Sequence, residues 1–140
     1  MNNERTTPGG EMLLRTVAMP ADTNPSGDIF GGWIMSQMDM AGGILAKEYT
    51  KSRVVTVAVD SMHFIRPVHV GDVVCCYGRV TKVGTTSLTI HLEVWAKKEL
   101  QAASSLSGRY KVTEAAFIYV SVNEAGEKQP IDTTHIRAAE

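Results

Sequence analysis

The chain has 140 residues, of which 44% are apolar and 21% are charged, a composition typical of one globular domain with a buried core. Lys and Arg number 14 against 15 Asp and Glu, and the resulting net charge of -1 excludes nucleic-acid or membrane binding that depends on overall positive charge. The sequence contains no apolar run of about 18 residues, so no membrane span is predicted. The polar N-terminal segment lacks the apolar core of a signal peptide, and we therefore expect a cytoplasmic protein.

The first part of the chain is predicted to be a polar segment followed by a short strand. We expect one domain over residues 1–140, with flexible or loosely packed tails at 1–11 and 124–140. The apolar run from Met12 to Met19 predicts a strand, which ends at Pro20 because proline cannot continue it. Turn-forming residues between 22 and 27 then lead to Gly31-Gly32.

The run from Trp33 to Tyr49 contains neither proline nor a polar cluster and is predicted to form a helix. Apolar or small residues occupy nearly its whole circumference, so we expect a helix with almost no wet face that a sheet encloses. One arc holds Ile34, Met35, Met38, Ala41, Gly42, Leu45 and Ala46. The opposite arc holds Trp33, Met40 and Ile44. We expect Asp39 to lie half buried at the edge of the first arc. A carboxylate loses hydration there at a cost in free energy, and this suggests that the residue has a function.

Four long strands are predicted after the helix from apolar and polar residues that alternate with a period of two. Their predicted bounds are Arg53 to Arg66, Val73 to Val83, Leu88 to Lys97, and Arg109 to Val122. The second and third should form a hairpin, and residues 99–108 should form a loop. This order predicts an α+β fold with a mostly antiparallel sheet curled around the helix. The open edge of such a sheet predicts a homo-oligomer.

The cysteines and histidines do not suggest a disulfide or a metal site. Cys75 and Cys76 are adjacent in a predicted strand, so their side chains point to opposite faces and we expect two buried thiols. The histidines are scattered without metal-ligand spacing, so no metal is predicted. They are His63, His69, His91 and His135. The chain also lacks the GxSxG motif that positions the nucleophile of many Ser-His-Asp hydrolases.

The segment around the start of the helix carries the most specific motif. It resembles the YciA-like bacterial branch of acyl-CoA thioesterases in the hotdog-fold superfamily, and the likeness extends from about residue 13 to residue 122. The residues that carry the resemblance are Asp22-Thr23-Asn24, Gly27-Asp28-Ile29-Phe30-Gly31-Gly32, Ser36-Gln37-Met38-Asp39, Val55-Thr56-Val57 and Gly71-Asp72. The resemblance implies a hotdog fold, in which an antiparallel sheet wraps one long helix, and a dimer as the active unit. It also implies a trimer of such dimers.

The resemblance implies hydrolysis of an acyl-CoA thioester to a free acid and CoA. Asp39 would act as general base or nucleophile, and Asn24 of the partner subunit would orient the water or the carbonyl. Backbone amides at Gly31 and Gly32 would polarise the carbonyl, because unpaired amides and the positive dipole end lie at a helix N-terminus. Each residue also has a structural explanation. Asp39 could bond a neighbouring strand, Asn24 could form an Asx-turn, and the glycines could only open the helix.

Many relatives have Gly-Asn-Val-His-Gly-Gly where this chain has Gly27-Asp28-Ile29-Phe30-Gly31-Gly32. The departures at Asp28 and Phe30 leave the positions of Asn24 and Asp39 intact, so they bear on acyl-group preference rather than on the hydrolytic chemistry. Phe30 is therefore expected to contact the substrate.

The substrate must also be held by its CoA part. The turn Gly84-Thr85-Thr86-Ser87, beside Lys82, could present amides, hydroxyls and a cation to the CoA phosphates. The strand from Val57 to Met62, with Val59 and Ser61, is expected to flank the pantetheine channel. No cofactor is predicted, because CoA is part of the substrate and the product.

Two other functions stay open from the sequence. A hydratase or dehydratase of the same fold would pair a catalytic histidine with a carboxylate, but no histidine occurs between Met1 and Met62. The other alternative is an oligomer that binds acyl-CoA without catalysis.

Overall fold

The computed structural model describes residues 7–98 and 108–134. Its strands are β1 (Glu11–Val17), β2 (Arg53–Phe64), β3 (Val73–Val83), β4 (Ser87–Lys97) and β5 (Tyr110–Val122). The long helix is α1 (Gly31–Thr50), and a short 3-10 helix (Pro20–Asp22) precedes it. Each predicted strand and the predicted helix are confirmed, with ends that differ by no more than two residues. The predicted loop at 99–108 lies, except for Gly108, outside the described residues.

The five strands form one sheet in the order β1-β3-β4-β5-β2, and all four of these pairings are antiparallel. β3 and β4 form the predicted hairpin. β1 and β2 are the two edge strands, and α1, which connects them, crosses one face of the sheet and contacts all five strands. The α+β class and the antiparallel sheet around one central helix are therefore confirmed.

The main core lies between the sheet and one side of the helix. β4 alternates so that its even-numbered side chains point inward, and these meet the buried side of α1. The buried side of α1 includes Ile34, Met38, Ala41 and Ala46. Gly42 allows the closest approach between the layers, because a Cβ on this residue would lie 2.2 Å from the hydroxyl oxygen of Tyr119.

The opposite side of α1 is open in the protomer. Met35, Met40 and Ile44 are 38%, 53% and 41% exposed, and Asp39 is exposed as well. The prediction of a helix with almost no wet face, and of a half-buried Asp39, is therefore wrong for a single chain. The physical reason is that one sheet covers only one side of a helix, whereas helical periodicity alone cannot tell a second covering layer from a second copy of the chain.

The two cysteines are buried free thiols, as predicted. Cys76 belongs to the main core, whereas Cys75 lies on the outer face of the sheet in a small cluster with Val73, Tyr77 and Trp95. Burial raises the pKa of Cys76 to about 12, and the adjacent Cys75 adds to this rise. Opposite faces of one strand thus give the two thiols different surroundings.

The connection from β2 to β3 passes across the end of the sheet and is held by Asp72, which is 1% exposed. The carboxylate accepts hydrogen bonds from the backbone N–H of His69 at 3.0 Å and the hydroxyl of Tyr110 at 2.7 Å. It also pairs with Lys98 at 3.1 Å. Burial by itself would raise the pKa of Asp72, but these donors outweigh it and hold the pKa below its ordinary value. This arrangement fixes the segment that runs past the start of α1.

A short part of the predicted C-terminal tail packs against the sheet. Ile131 is 8% exposed, and its backbone N–H donates to the carbonyl of Thr85 at 2.8 Å. The N–H of Gln129 donates to the carbonyl of Ser121 at 3.0 Å. Residues 129–131 therefore pack beside the β3–β4 turn, whereas residues 124–128 are exposed. Residues 1–6 and 135–140 lie outside the described part of the chain.

No helix within the described ranges is long and apolar enough to cross a membrane. Within the same ranges, His, Cys, Asp and Glu side chains form no group of three that could hold a metal ion, and His135 lies outside them.

Candidate active site

Asp39 lies in the middle of α1 on its open face, and the sheet provides two hydroxyl groups to its carboxylate. Oδ1 accepts a hydrogen bond of 2.6 Å from the hydroxyl of Thr56 and one of 3.2 Å from the hydroxyl of Tyr119. Thr56 and Tyr119 are directly paired across β2 and β5, so the register of these strands brings both donors to one oxygen. Oδ2 makes no hydrogen bond to any described residue and is available to a ligand.

Tyr119 approaches Asp39 from the core side. Its side chain is 1% exposed, and its hydroxyl also lies 3.1 Å from the backbone carbonyl oxygen of Asp39. Burial raises the pKa of the Tyr119 phenol above its ordinary value, and the nearby Asp39 carboxylate raises it further. The phenol therefore keeps its proton at neutral pH and acts as a hydrogen-bond donor.

β2, which provides Thr56, is an irregular edge strand. Its pairing with β5 shifts between Thr56 and Ala58, and again between Asp60 and His63. In the second irregularity Ser61 has a φ of 53°, a left-handed conformation that costs a residue other than glycine on the order of 1–3 kcal/mol. Such bulges re-aim neighbouring side chains and are common beside active sites. Val59 and Ser61 lie exposed along this strand, where the sequence predicted contacts with pantetheine.

Gly31 and Gly32 lie in the first turn of α1, where the sequence predicted them to open the helix. Phe30 precedes the helix without a side-chain cap, so the first amides are not capped in that way. A Cβ on Gly31 would lie 3.2 Å from the ring of Phe64, and a Cβ on Gly32 would lie 3.3 Å from the ring of Phe30. Two exposed aromatic rings thus lie beside the first turn of the helix, and a Cβ at either glycine would press against one of them.

Beside the helix start lies an open groove of about 320 Å³. Its walls are mostly apolar, with Arg66 as a cation. The lining residues are Ile29, Gly31, Ile34, Phe64, Ile65, Arg66, Pro67 and Val68. A groove of this character suits an apolar group next to a small anionic or polarised one.

Asn24 lies in the loop before α1 and forms an Asx-turn, the structural alternative to a role in catalysis. Its Oδ1 accepts hydrogen bonds from the backbone N–H groups of Ser26 at 3.0 Å and Asp28 at 3.1 Å. Its Nδ2 donates to no described residue. The turn holds the side chain in place by its oxygen, so the amide hydrogens are the part that could reach a ligand.

The helix start and Asp39 lie on the same face of α1, but they are too far apart along the helix to contact the same group of a substrate. Seven residues separate Gly32 from Asp39, which corresponds to about two turns and roughly 10 Å along the axis. A thioester carbonyl in hydrogen-bond contact with the first amides cannot also touch the Asp39 carboxylate of the same chain. One protomer therefore does not bring the predicted components into a single site.

The turn predicted to hold CoA phosphates lies at the opposite end of the helix. Ser121, whose N–H donates to Thr86 of the turn, lies 2.6 Å from Ser52 through the two hydroxyl oxygens, and Ser52 comes just after the end of α1. Gly31 at the other end lies against Phe64, so roughly 30 Å of helix separates the two places. Within the turn, the N–H of Gly84 donates to the carbonyl of Ser87 at 2.7 Å. The carbonyls of Thr85 and Thr86 accept hydrogen bonds from Ile131 and Ser121. Lys82 is exposed beside this rigid turn.

Reasoning from the sequence did not identify Thr56, Tyr119 or Phe64 as parts of the site. A signal existed for Tyr119, since it shares the period-two inward positions of β5 with Phe117, and a buried tyrosine hydroxyl usually needs a polar partner. The Gly42-Gly43 pair on the helix was a second signal, because it leaves space opposite a large side chain. Neither pattern reveals which partner the hydroxyl has.

Comparisons with known proteins agree with this architecture. Residues 26–103, more than half of the chain, match the family model of the Thioesterase superfamily. The acyl-CoA thioester hydrolase YciA of Salmonella typhimurium is 62% identical over 125 residues, which cover 89% of this chain and 92% of that relative.

Two solved structures are similar to this chain over more than nine-tenths of its length. One, a hexameric broad-specificity acyl-coenzyme A thioesterase, has a TM-score of 0.85 and 55% identity, covering 95% of this chain and 88% of that chain. The other, a hexameric hotdog fold thioesterase of Campylobacter jejuni, has a TM-score of 0.82 and 46% identity, covering 92% of this chain and 96% of that chain. The predicted hotdog fold and the resemblance are confirmed: the chain belongs to the YciA family of acyl-CoA thioester hydrolases in the Thioesterase superfamily.

Proposed function

We propose that this acyl-CoA thioester hydrolase uses Asp39 to cleave its substrate, as general base toward water or as nucleophile. The observation that carries the proposal is the exposed carboxylate whose Oδ1 is held by two hydroxyls while Oδ2 is available. In the general-base route, water adds to the thioester carbon as its proton passes to Asp39. The C–S bond then breaks, the acid departs, and the CoA thiolate takes up a proton.

The carbonyl oxygen needs donors where negative charge develops during attack. The amides of Gly31 and Gly32 supply them, and the Nδ2 of Asn24 adds an uncharged donor. The lack of a side-chain cap at the helix start and the engagement of only the Oδ1 of Asn24 support this assignment. Phe30 and the adjacent apolar groove receive the acyl group.

These donors come from a second copy of the chain. The separation of about two turns between Gly32 and Asp39 supports this assignment, because a thioester carbonyl at the helix start is too far from the Asp39 carboxylate of the same chain. The unpaired edge of β2 carries the exposed side chains of Val55, Val57 and Val59, which are 40%, 54% and 38% exposed. Together with the open face of α1, they form an apolar surface that suits a second copy. Since similar thioesterases are hexameric, we propose a dimer as the active unit and a trimer of dimers.

The CoA part of the substrate runs along β2 past Val59 and Ser61. Its phosphates contact Lys82 and the turn at Gly84, Thr85, Thr86 and Ser87. The rigid turn and the exposed cation support this contact. Because the turn lies far from the helix start of its own chain, it comes from the copy that does not supply Gly31 and Gly32. The cytoplasmic location stays a prediction of the sequence.

The test is the release of free thiol from acetyl-, butyryl- and palmitoyl-CoA by the wild type and by Asp39→Asn. We expect Asp39→Asn to lower kcat by a factor of about 1,000 or more, as removal of an essential acid–base or nucleophilic group does. Glu48→Gln, which neutralises another exposed carboxylate of α1, should retain wild-type kcat. A wild type that releases no thiol from any chain length would reject hydrolysis, and an active Asp39→Asn would reject the role of Asp39.

A further inference from the structure

The Tyr119 side chain crosses the core from β5 and ends beneath α1. Its hydroxyl occupies a space that exists only because residue 42 is glycine, since a Cβ there would lie 2.2 Å from the hydroxyl oxygen and 3.0 Å from Leu92 Cδ1. The phenol is 1% exposed, so it cannot reach a substrate on the open face of the helix. Any effect of Tyr119 on the reaction must therefore be transmitted by the residue to which its hydroxyl is hydrogen-bonded.

That residue is Asp39, and the Tyr119 hydroxyl contacts two of its oxygen atoms. The hydroxyl lies 3.1 Å from the backbone carbonyl oxygen and 3.2 Å from Oδ1. A phenol has one proton to donate, so the two acceptors share it. The contact links the side chain of Asp39 to its own helical backbone through a third group that is immobilised in the core.

We propose that Tyr119 is a positioning residue that selects one rotamer of Asp39, with Oδ1 held inward and Oδ2 directed to the reacting thioester. This inference rests on the proposed role of Asp39. Thr56 holds the same Oδ1 from the edge strand, but Thr56 is exposed and belongs to a strand with an unpaired edge. Tyr119 is the one of the two donors that packing in the core keeps in place before substrate binds.

The physical reason is rotamer selection. An exposed aspartate at mid-helix can occupy several staggered rotamers, and only one of them presents an oxygen to a given point on the surface. A hydrogen bond from a neutral donor to a carboxylate is strong enough to favour its rotamer by about tenfold or more. Removing the hydroxyl should therefore reduce the fraction of molecules that hold the carboxylate ready, without changing how tightly CoA is held.

The test is Tyr119→Phe, with Tyr77→Phe as a matched control. The Tyr77 hydroxyl accepts a hydrogen bond from Arg109 at 3.2 Å on the outer face of the sheet, away from α1. For Tyr119→Phe we expect kcat to fall about tenfold, with KM for the acyl-CoA within about twofold of the wild type. For Tyr77→Phe we expect an unchanged kcat. Wild-type kcat in Tyr119→Phe, or an equal loss of kcat in both variants, overturns the proposal.

A double variant separates this inference from the proposed role of Asp39. If Tyr119 acts through Asp39, then adding Tyr119→Phe to Asp39→Asn causes no further loss of kcat, because the group that is positioned has already been removed. A further loss of about tenfold in the double variant means that Tyr119 acts independently of Asp39 and overturns the positioning role alone. An Asp39→Asn enzyme with wild-type kcat overturns the proposed function and this inference with it.

Discussion

Thr56 of the edge strand donates a hydrogen bond of 2.6 Å to the carboxylate of Asp39 in the middle of the helix. The bond joins two elements that are not fully covered in the protomer. β2 is an edge strand with an unpaired side, and the face of α1 that carries Asp39 is exposed. The candidate catalytic carboxylate therefore lies at the border between the folded protomer and the surface that we assign to a second copy. Catalysis and assembly should consequently depend on the same strand.

Subunit mixing should restore activity to two inactive proteins. If Asn24 of one chain serves Asp39 of another, a heterodimer of Asn24→Ala and Asp39→Ala chains contains one site in which both residues are wild type. We expect each variant alone to have lost most thiol release, and the mixed and exchanged protein to regain up to about a quarter of wild-type kcat per chain, since random exchange makes half of the dimers mixed. No recovery after verified exchange would show that each site is contained in one chain.

A charge on the edge of β2 should break the oligomer. Val57 is 54% exposed in the protomer and lies in the middle of the proposed interface, so Val57→Asp would bury an unpaired carboxylate there. We expect a smaller species by light scattering and the loss of most activity. Val70→Asp is the control, because Val70 is 44% exposed in the connection between β2 and β3. A Val57→Asp protein with the wild-type mass would contradict the assigned interface.

The adjacent glycines of α1 should respond to alanine in opposite directions. In Gly42→Ala the new Cβ would lie 2.2 Å from the Tyr119 hydroxyl, whereas around Gly43 nothing lies within 4 Å of the equivalent position. We expect Gly42→Ala to lower the free energy of unfolding by about 1–3 kcal/mol, the usual cost of overpacking. Gly43→Ala should raise it by up to about 1 kcal/mol, because alanine is the better helix former. Urea unfolding of both variants measures the difference, and equal destabilisation would contradict the close approach at Gly42.

Asp72 should make the stability of the fold depend on acidic pH. Its pKa is below the ordinary value in the folded state, so its contribution is complete above its unfolded pKa of about 3.9 and is lost as pH falls through the folded pKa. We expect Asp72→Asn to lower the free energy of unfolding at pH 7 by about 1–3 kcal/mol, and the gap to the wild type to narrow below about pH 4. Urea unfolding at pH 7, 4 and 3 tests this.

The exposed Asp28 provides the control for the Asp72 experiment. Asp28→Asn should leave the free energy of unfolding close to the wild-type value at each pH. A gap between Asp72→Asn and the wild type that stays constant down to pH 3 would contradict the linkage between Asp72 and stability.

The sequence by itself determined the elements and the family. The strands and α1 were predictable because alternation with a period of two and turn residues are local properties, and β3 (Val73–Val83) was predicted with both of its ends. Asp39 was recognisable as a candidate because it is the one charged residue between Trp33 and Ala46 and belongs to the motif that carries the resemblance. The motif around Gly31-Gly32 was specific enough to indicate the family, because its residues are close together along the chain.

Only the tertiary structure decided what surrounds Asp39. That Thr56 and Tyr119 meet on one oxygen depends on the register of β2 with β5, which a bulge after Thr56 shifts, and no local pattern encodes that register. The burial of a side chain likewise depends on the tertiary structure. Met35 and Asp39 are exposed because no described element of the protomer covers them, whereas Ile131 is buried because it packs against the core. Hydrogen-bond partners and burial are properties of long-range contacts, and those exist only once the whole chain has folded.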